Sequence, residues 1–402
     1  MEVGMQKDKE LQQQLYTVAF VDLSIKNILD SSYLFARPEW LDTLFLLLFF
    51  GCIGWKLLLQ KFTLKTLVAT IAFGSIFAYI SIRMKYFFLL FSYCGIIGIQ
   101  NVDLKRVLRY TSITKFIMIL IHVIPYIVCL LITPEEIDYV YRNGVQRHYF
   151  YIGHPNTFSM YVGWALLEFT YAFYESLSNF CLVAFWFINL LVYHFTDSNT
   201  SIIVATVSYS LFLLERYNPK MIAKYITPVA RYLYMVLAIF FTVITVWFSS
   251  MPAAIRSMYL TLNDVMTGRL LFGSFAYDKF GIAWLGNPNV YLATTTYYQG
   301  FWVDTLVFDN TYIYLLVYYG AIALPIISAA FVLIGKDKKK DIGRNVTKIL
   351  IIAYALFAIM ENYANNAVLC FPLLFIGERM YQLYEEKMKI RRNKKEETCV
   401  SS

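Results

Sequence analysis

Long apolar runs alternate with short polar breaks along most of this chain. Clear runs lie at 41–59, 66–82, 86–100, 112–133, 155–174, 178–195, 201–214, 231–250, 309–334 and 347–362. Their lengths centre on the roughly 20 residues that a helix needs to cross a bilayer. A weaker candidate precedes them at 11–29, where Asp22 and Lys26 interrupt the apolar positions, and a short one follows at about 366–382. No repeat recurs at a fixed period. The pattern predicts an all-α fold, a polytopic helical membrane protein of about 12 transmembrane helices forming one integral membrane domain over residues 1–402.

Composition agrees. Of 402 residues, 59% are hydrophobic and only 15% charged, where a soluble domain carries about 25% charged residues. That balance excludes a soluble enzyme, a disordered chain and a disulfide-stapled module. None of the six cysteines forms a CxxC pair, so neither a zinc site nor a disulfide framework is expected. The polar start, MEVGMQKDKELQQQ, gives no pattern of a cleavable signal.

Charge then sets the orientation. If 11–29 spans and the N-terminus is cytoplasmic, the cytoplasmic segments hold 23 Lys and Arg and the outer segments 8. Omitting that first span would place KDKKKDIGR outside, against the positive-inside rule. Both termini are therefore expected inside, and most of the net charge of +8 belongs to inner loops and a basic tail at 383–402 rather than to nucleic-acid binding. Two outer loops are long: 134–154 and 251–308. The second is too long to be a connector, and its many aromatics suit either sugar stacking or the headgroup layer.

Four polar clusters stand at the outer edges of spans, where intramembrane charge is costly and tends to be functional. Arg142 to Tyr161 contains Arg147, His148, His154 and Asn156. HPN there reads as a helix start with Pro at its first position, or as donors presented to an anion. Leu262 to Asn287 contains Arg269, with Leu262, Val265, Met266 and Leu270 at helical spacing; this predicts one short amphipathic helix whose arginine snorkels or binds substrate. Asp309 and Asn310 open a span, with Asp304 before them, and either suits an N-cap. Glu361, Asn362, Asn365 and Asn366 interrupt the last apolar stretch, as a turn or as a buried carboxylate seeking Arg147 or Arg269.

GHPNTFSMY at Gly153–Tyr161, TGRLLFG and FGIAWLGN within Thr267–Asn287, DNTYIYLLVYYGAI at Asp309–Ile322 and ENYANNAVLCFPLLF at Glu361–Phe375 occur in this order. In that order and spacing the chain, from about residue 85 onward, resembles the Wzy-type polysaccharide polymerases of capsule, exopolysaccharide and O-antigen assembly. The O-antigen ligases share the plan more distantly. The resemblance implies a C-type-like membrane glycosyltransferase of the cytoplasmic membrane, working on its outer face without metal or cofactor. Its substrate would be a polyprenyl-pyrophosphate-linked oligosaccharide, and its partners a chain-length regulator and a flippase. It further implies that Arg147 and Arg269, in the two outer loops, matter most.

Guanidinium suits this chemistry, because it stays protonated and pairs bidentately with phosphate oxygens. His154 is the obvious near-neutral base, with Glu361 and Asp309 as rivals. Asn156 and Asn310 complete the substrate-binding set. The short outer loop TDSNTS at Thr196–Ser201 departs from relatives that carry an arginine after a serine, which leaves that loop without an assigned role. A ligase-like transferase shares the same logic. A lipid-linked oligosaccharide flippase would instead show helices broken near the midplane and internal repeats.

Overall fold

The computed structural model describes residues 2–142, 144–291, 296–298, 300–303, 309–334 and 343–386. The molecule is a bundle of helices: α1 (Glu2–Asp30), α2 (Glu39–Leu58), α3 (Leu64–Met84), α4 (Phe88–Gly98), α5 (Leu104–Ile132), α6 (Pro155–Phe173), α7 (Asn179–Thr196) and α8 (Asn199–Tyr217). A long α9 (Pro219–Ser250) follows, then α10 (Ala253–Val265), α11 (Arg269–Phe280), α12 (Thr311–Tyr314), α13 (Ala323–Ile334), α14 (Gly343–Met360) and α15 over residues 374–386. Helices α2, α3, α5, α7 and α9 are long and apolar enough to cross a membrane. They expose large side chains such as Leu47, Leu131, Phe187 and Ile239, as helices facing lipid do. The protein is thus a helical membrane protein.

Short polar residues start several helices where the chain turns. Asp103 accepts from the backbone N–H of Arg106 at 3.3 Å to open α5, and Ser178 accepts from Cys181 at 3.2 Å to open α7. Each satisfies one of the amides that a helix start leaves unpaired. Nearly all of α6 is buried, because α5, α7 and α8 pack around it. Without a hydrophobic drive between helices in lipid, shape must hold them, and rings fill the gaps: Trp164 of α6 meets Phe357 of α14 edge-on at 5.4 Å.

The bundle has two distinct ends. At one, Lys105 pairs with Glu175, Arg106 with Glu10, and Arg216 donates to the Tyr174 carbonyl. At the other lie a hairpin of β1 (Val140–Arg142) and β2 (Val145–Arg147), a second hairpin of β3 (Thr296–Tyr298) and β4 (Phe301–Val303), and helices α10 and α11. Helix α1 joins both ends. Gln13, in its first half, accepts from the Asp103 amide at 2.7 Å, and Ser31 accepts from the Gly153 amide at 2.6 Å just beyond its end. At about 1.5 Å per residue these contacts stand about 27 Å apart along the helix. Its apolar signal is weak because Gln12, Gln13, Asp22 and Asn27 are buried, turned into the protein rather than the lipid.

Three sequence expectations need correction. The single amphipathic helix around Arg269 is two helices, broken at Thr267 (φ 53°) and Gly268 (φ 86°), and Val265 is exposed while Leu270 is buried. The span at 309–334 is interrupted by a π-turn at Leu315–Tyr319 and then by Gly320, φ 98°. A Cβ at Gly320 would stand 2.6 Å from the Trp284 carbonyl. That close approach lets residues 283–287 pair with the break, through Ala321 N to Ala283 O at 2.8 Å and Asn287 N to Tyr318 O at 2.9 Å. The last span does not begin at 366: residues 361–373 leave the α-helix, two short 3-10 turns flanking an irregular stretch, and α15 starts at 374 and runs into the first residues assigned to the tail. The remainder of that tail (387–402), most of KDKKKDIGR, and Asp304 lie outside the described residues.

Candidate functional site

The first half of the site is built where β2 hands the chain to α6. His154 is the N-cap of α6, its Nδ1 accepting from the Asn156 amide at 3.3 Å, with Pro155 at the first position. HPN is therefore a helix start, as one of the two sequence readings had it. Arg147 is buried beside it. Its Nη2 donates to Asn156 Oδ1 at 2.6 Å and its Nε to the Thr196 carbonyl at 2.7 Å. Arg142 pairs with Asp197, whose backbone is left-handed at φ 48°. The TDSNTS loop, given no role from the sequence, thus holds both arginines of the first outer loop. His148 is locked away from the site's surface: Tyr126 hydrogen-bonds its Nδ1 at 2.8 Å, and Tyr139, Phe150 and Phe195 surround its ring.

The second half gathers α11, α12 and the end of α14. Arg269 opens α11 directly after the left-handed Gly268. It donates from Nε to the Met360 carbonyl at 3.0 Å, pairs through Nη2 with Asp309 at 3.0 Å, and contacts Thr267 Oγ1. Asn263 Oδ1 accepts from the Leu271 amide at 2.9 Å and so fixes the turn that aims it. Asn310, not Asp309, caps α12: its Oδ1 accepts from Ile313 N at 3.1 Å, while its Nδ2 donates to Ile359 O at 2.9 Å. That division of labour leaves the Asp309 carboxylate for Arg269. Thr311 donates its hydroxyl proton to the Glu361 carbonyl. Glu361 is the first residue after α14 and is buried, with no ion pair among the described residues.

The two halves meet. Tyr363, two residues past Glu361, lies against Thr157 in the first turn of α6. Crowding protein around the His154 ring, and then the charges of Arg147, Arg142 and Arg269, bring its pKa down to about 4. His154 is therefore neutral at pH 7 although its edge is exposed. Asp309 and Glu361 stand beside the same guanidinium. At neutral pH the cluster thus offers guanidinium charge, a neutral imidazole able to accept a proton, and two carboxyl groups. Glu361 is not paired to either arginine, against the sequence expectation; Arg269 takes Asp309 instead.

Lys115 and Glu168, lone charges inside apolar runs that the sequence reading passed over, form a buried ion pair. Among the described residues no three His, Cys, Asp or Glu side chains gather as metal ligands would. No protein-family model, curated protein or solved structure matches the chain.

Proposed function

We propose that this protein is a membrane glycosyltransferase that polymerises polyprenyl-pyrophosphate-linked oligosaccharide repeat units into a surface polysaccharide, as its resemblance to Wzy-type polymerases implies. In this reading the chain crosses the cytoplasmic membrane twelve times, with the Lys- and Arg-rich end of the bundle inside and the hairpin end outside. One observation carries the reading. Two arginines from two separate loops, Arg147 and Arg269, converge on a helix N-terminus that also presents His154 and Asn156, beside the Asp309–Glu361 carboxyl pair.

A lipid pyrophosphate leaving from a sugar anomeric carbon develops negative charge on its bridging oxygen. Preorganised guanidinium groups and helix-start amides stabilise that charge without rearranging during the reaction. Neutral His154 takes the proton of the acceptor hydroxyl as the new glycosidic bond forms, while the guanidinium groups hold the charge of the departing phosphate.

Deleting the gene in its host tests this. Single lipid-linked repeat units should then accumulate on the outer leaflet while polymer disappears. A second reading, a flippase for the same lipid, draws on the buried non-helical stretch 361–373, since transporters place broken helices in the bilayer interior. Accumulation on the cytoplasmic leaflet would favour it.

A further inference from the structure

From the buried ion pair of α5 and α6 we infer that Lys115 and Glu168 are positioning residues, anchoring from below the non-helical segment that carries Glu361; this rests on the transferase reading above. Lys115 is 2% exposed and Glu168 fully buried. The pair is closed within the protein: Thr111 donates to Glu168, and Lys115 donates both to Glu168 and, at 2.5 Å, to the carbonyl of Val368. A carboxylate and an ammonium inside a membrane protein are costly to bury, and one that reaches an irregular backbone does more than neutralise its partner.

Depth makes the point. Glu168 stands 13 residues beyond Pro155, at the start of α6, so it lies about 20 Å along the helix axis from the His154 end. Yet the segment touches both levels. Tyr363 lies against Thr157 at the top, and Val368 meets Lys115 below. The five residues between them leave the α-helix, with a 3-10 turn at Asn362–Asn365 and a further turn at 367–369, and the long Tyr363 and Lys115 side chains reach the rest of the way. Backbone that leaves the α-helix within a membrane must be satisfied by the protein around it. Ser92 meets this requirement midway, donating to Asn365 O and accepting from Ala367 N, each at 2.8 Å. Lys115 meets it at the foot. The same two helices lead into the site: α5 ends where the first outer loop begins, and α6 starts at His154. The ion pair therefore sets the height of Glu361 relative to His154.

The double variant Lys115→Met/Glu168→Leu removes both charges, and Lys115→Arg keeps a donor for Val368. Purified proteins are assayed with lipid-linked repeat units extracted from the deletion strain, and Cys370, buried two residues past Val368, is probed by N-ethylmaleimide with peptide-resolved mass spectrometry. The double variant should melt within a few degrees of wild type, label Cys370 at least tenfold faster, and lose about tenfold or more in kcat at unchanged KM. Lys115→Arg should recover most of both. Glu168→Gln, which keeps the side-chain shape, takes the same measurements if the double variant does not reach the membrane. Slow Cys370 labelling and wild-type kcat in a variant lacking the pair would overturn the inference. If wild type itself transfers nothing, the functional reading fails, while Cys370 labelling still decides whether the anchor exists.

Discussion

In the proposed transferase, Arg269 concentrates the chemistry at the scale of single residues. Its guanidinium contacts Met360 O, Thr267 and Asp309, which fixes its plane before any substrate arrives. Losing a preorganised charge donor of this kind costs about 10²–10³ in kcat. Arg269→Ala should fall by that factor, and Arg269→Lys should recover little, because an ammonium cannot reproduce the planar fork; initial-rate kinetics on membranes with matched protein levels would check both. His154 gives a second test through pH. Its folded pKa, lowered to about 4 from 6.5, means that the unfolded state binds the extra proton between these values, so its contribution to stability rises with pH across that window. Melting in detergent should thus rise between about pH 4 and 6.5 in wild type, and the rise should shrink in His154→Asn. An unchanged profile in the variant would assign the pH dependence elsewhere.

Among the elements, the breaks matter more than the helices. Apolar periodicity located most of the helices because lipid-facing side chains repeat at helical spacing. It merged α12 and α13 because Gly320 looks like any small residue in an apolar run; only the pairing of residues 283–287 with the break explains it. It likewise merged α10 with α11, since the left-handed Thr267–Gly268 turn leaves no gap in the apolar spacing. Site residues were legible where polar groups stand against apolar background, as at His154, Asp309 and Glu361. The supporting contacts were not: Arg147 is held by a backbone carbonyl of Thr196, and carbonyls are the same at every position of a sequence. Gly320→Ala should be destabilising by about 1–3 kcal/mol from backbone strain plus the clash with Trp284 O, seen as a lower melting temperature. Asp197→Ala, which frees Arg142, should weaken substrate binding more than it slows turnover.

For the molecule as a whole, charge asymmetry and site placement agree. The end that carries Lys105, Arg106 and Arg216 in ion pairs and carbonyl contacts is opposite the end where both hairpins and the arginine cluster lie. Helix α1 runs between them, although it is not among the five helices long and apolar enough to cross a membrane. Single cysteines introduced at Tyr141 and at Lys220 should label with an impermeant maleimide from opposite sides of intact cells; labelling from the same side would overturn the twelve-crossing topology. The central claim is tested most directly by reconstituting the purified protein with its lipid-linked repeat unit and resolving the products by size. The account predicts a ladder of lengthening lipid-linked glycans with release of free polyprenyl pyrophosphate, absent in Arg269→Ala. Movement of the intact lipid across the vesicle membrane with no ladder would contradict it.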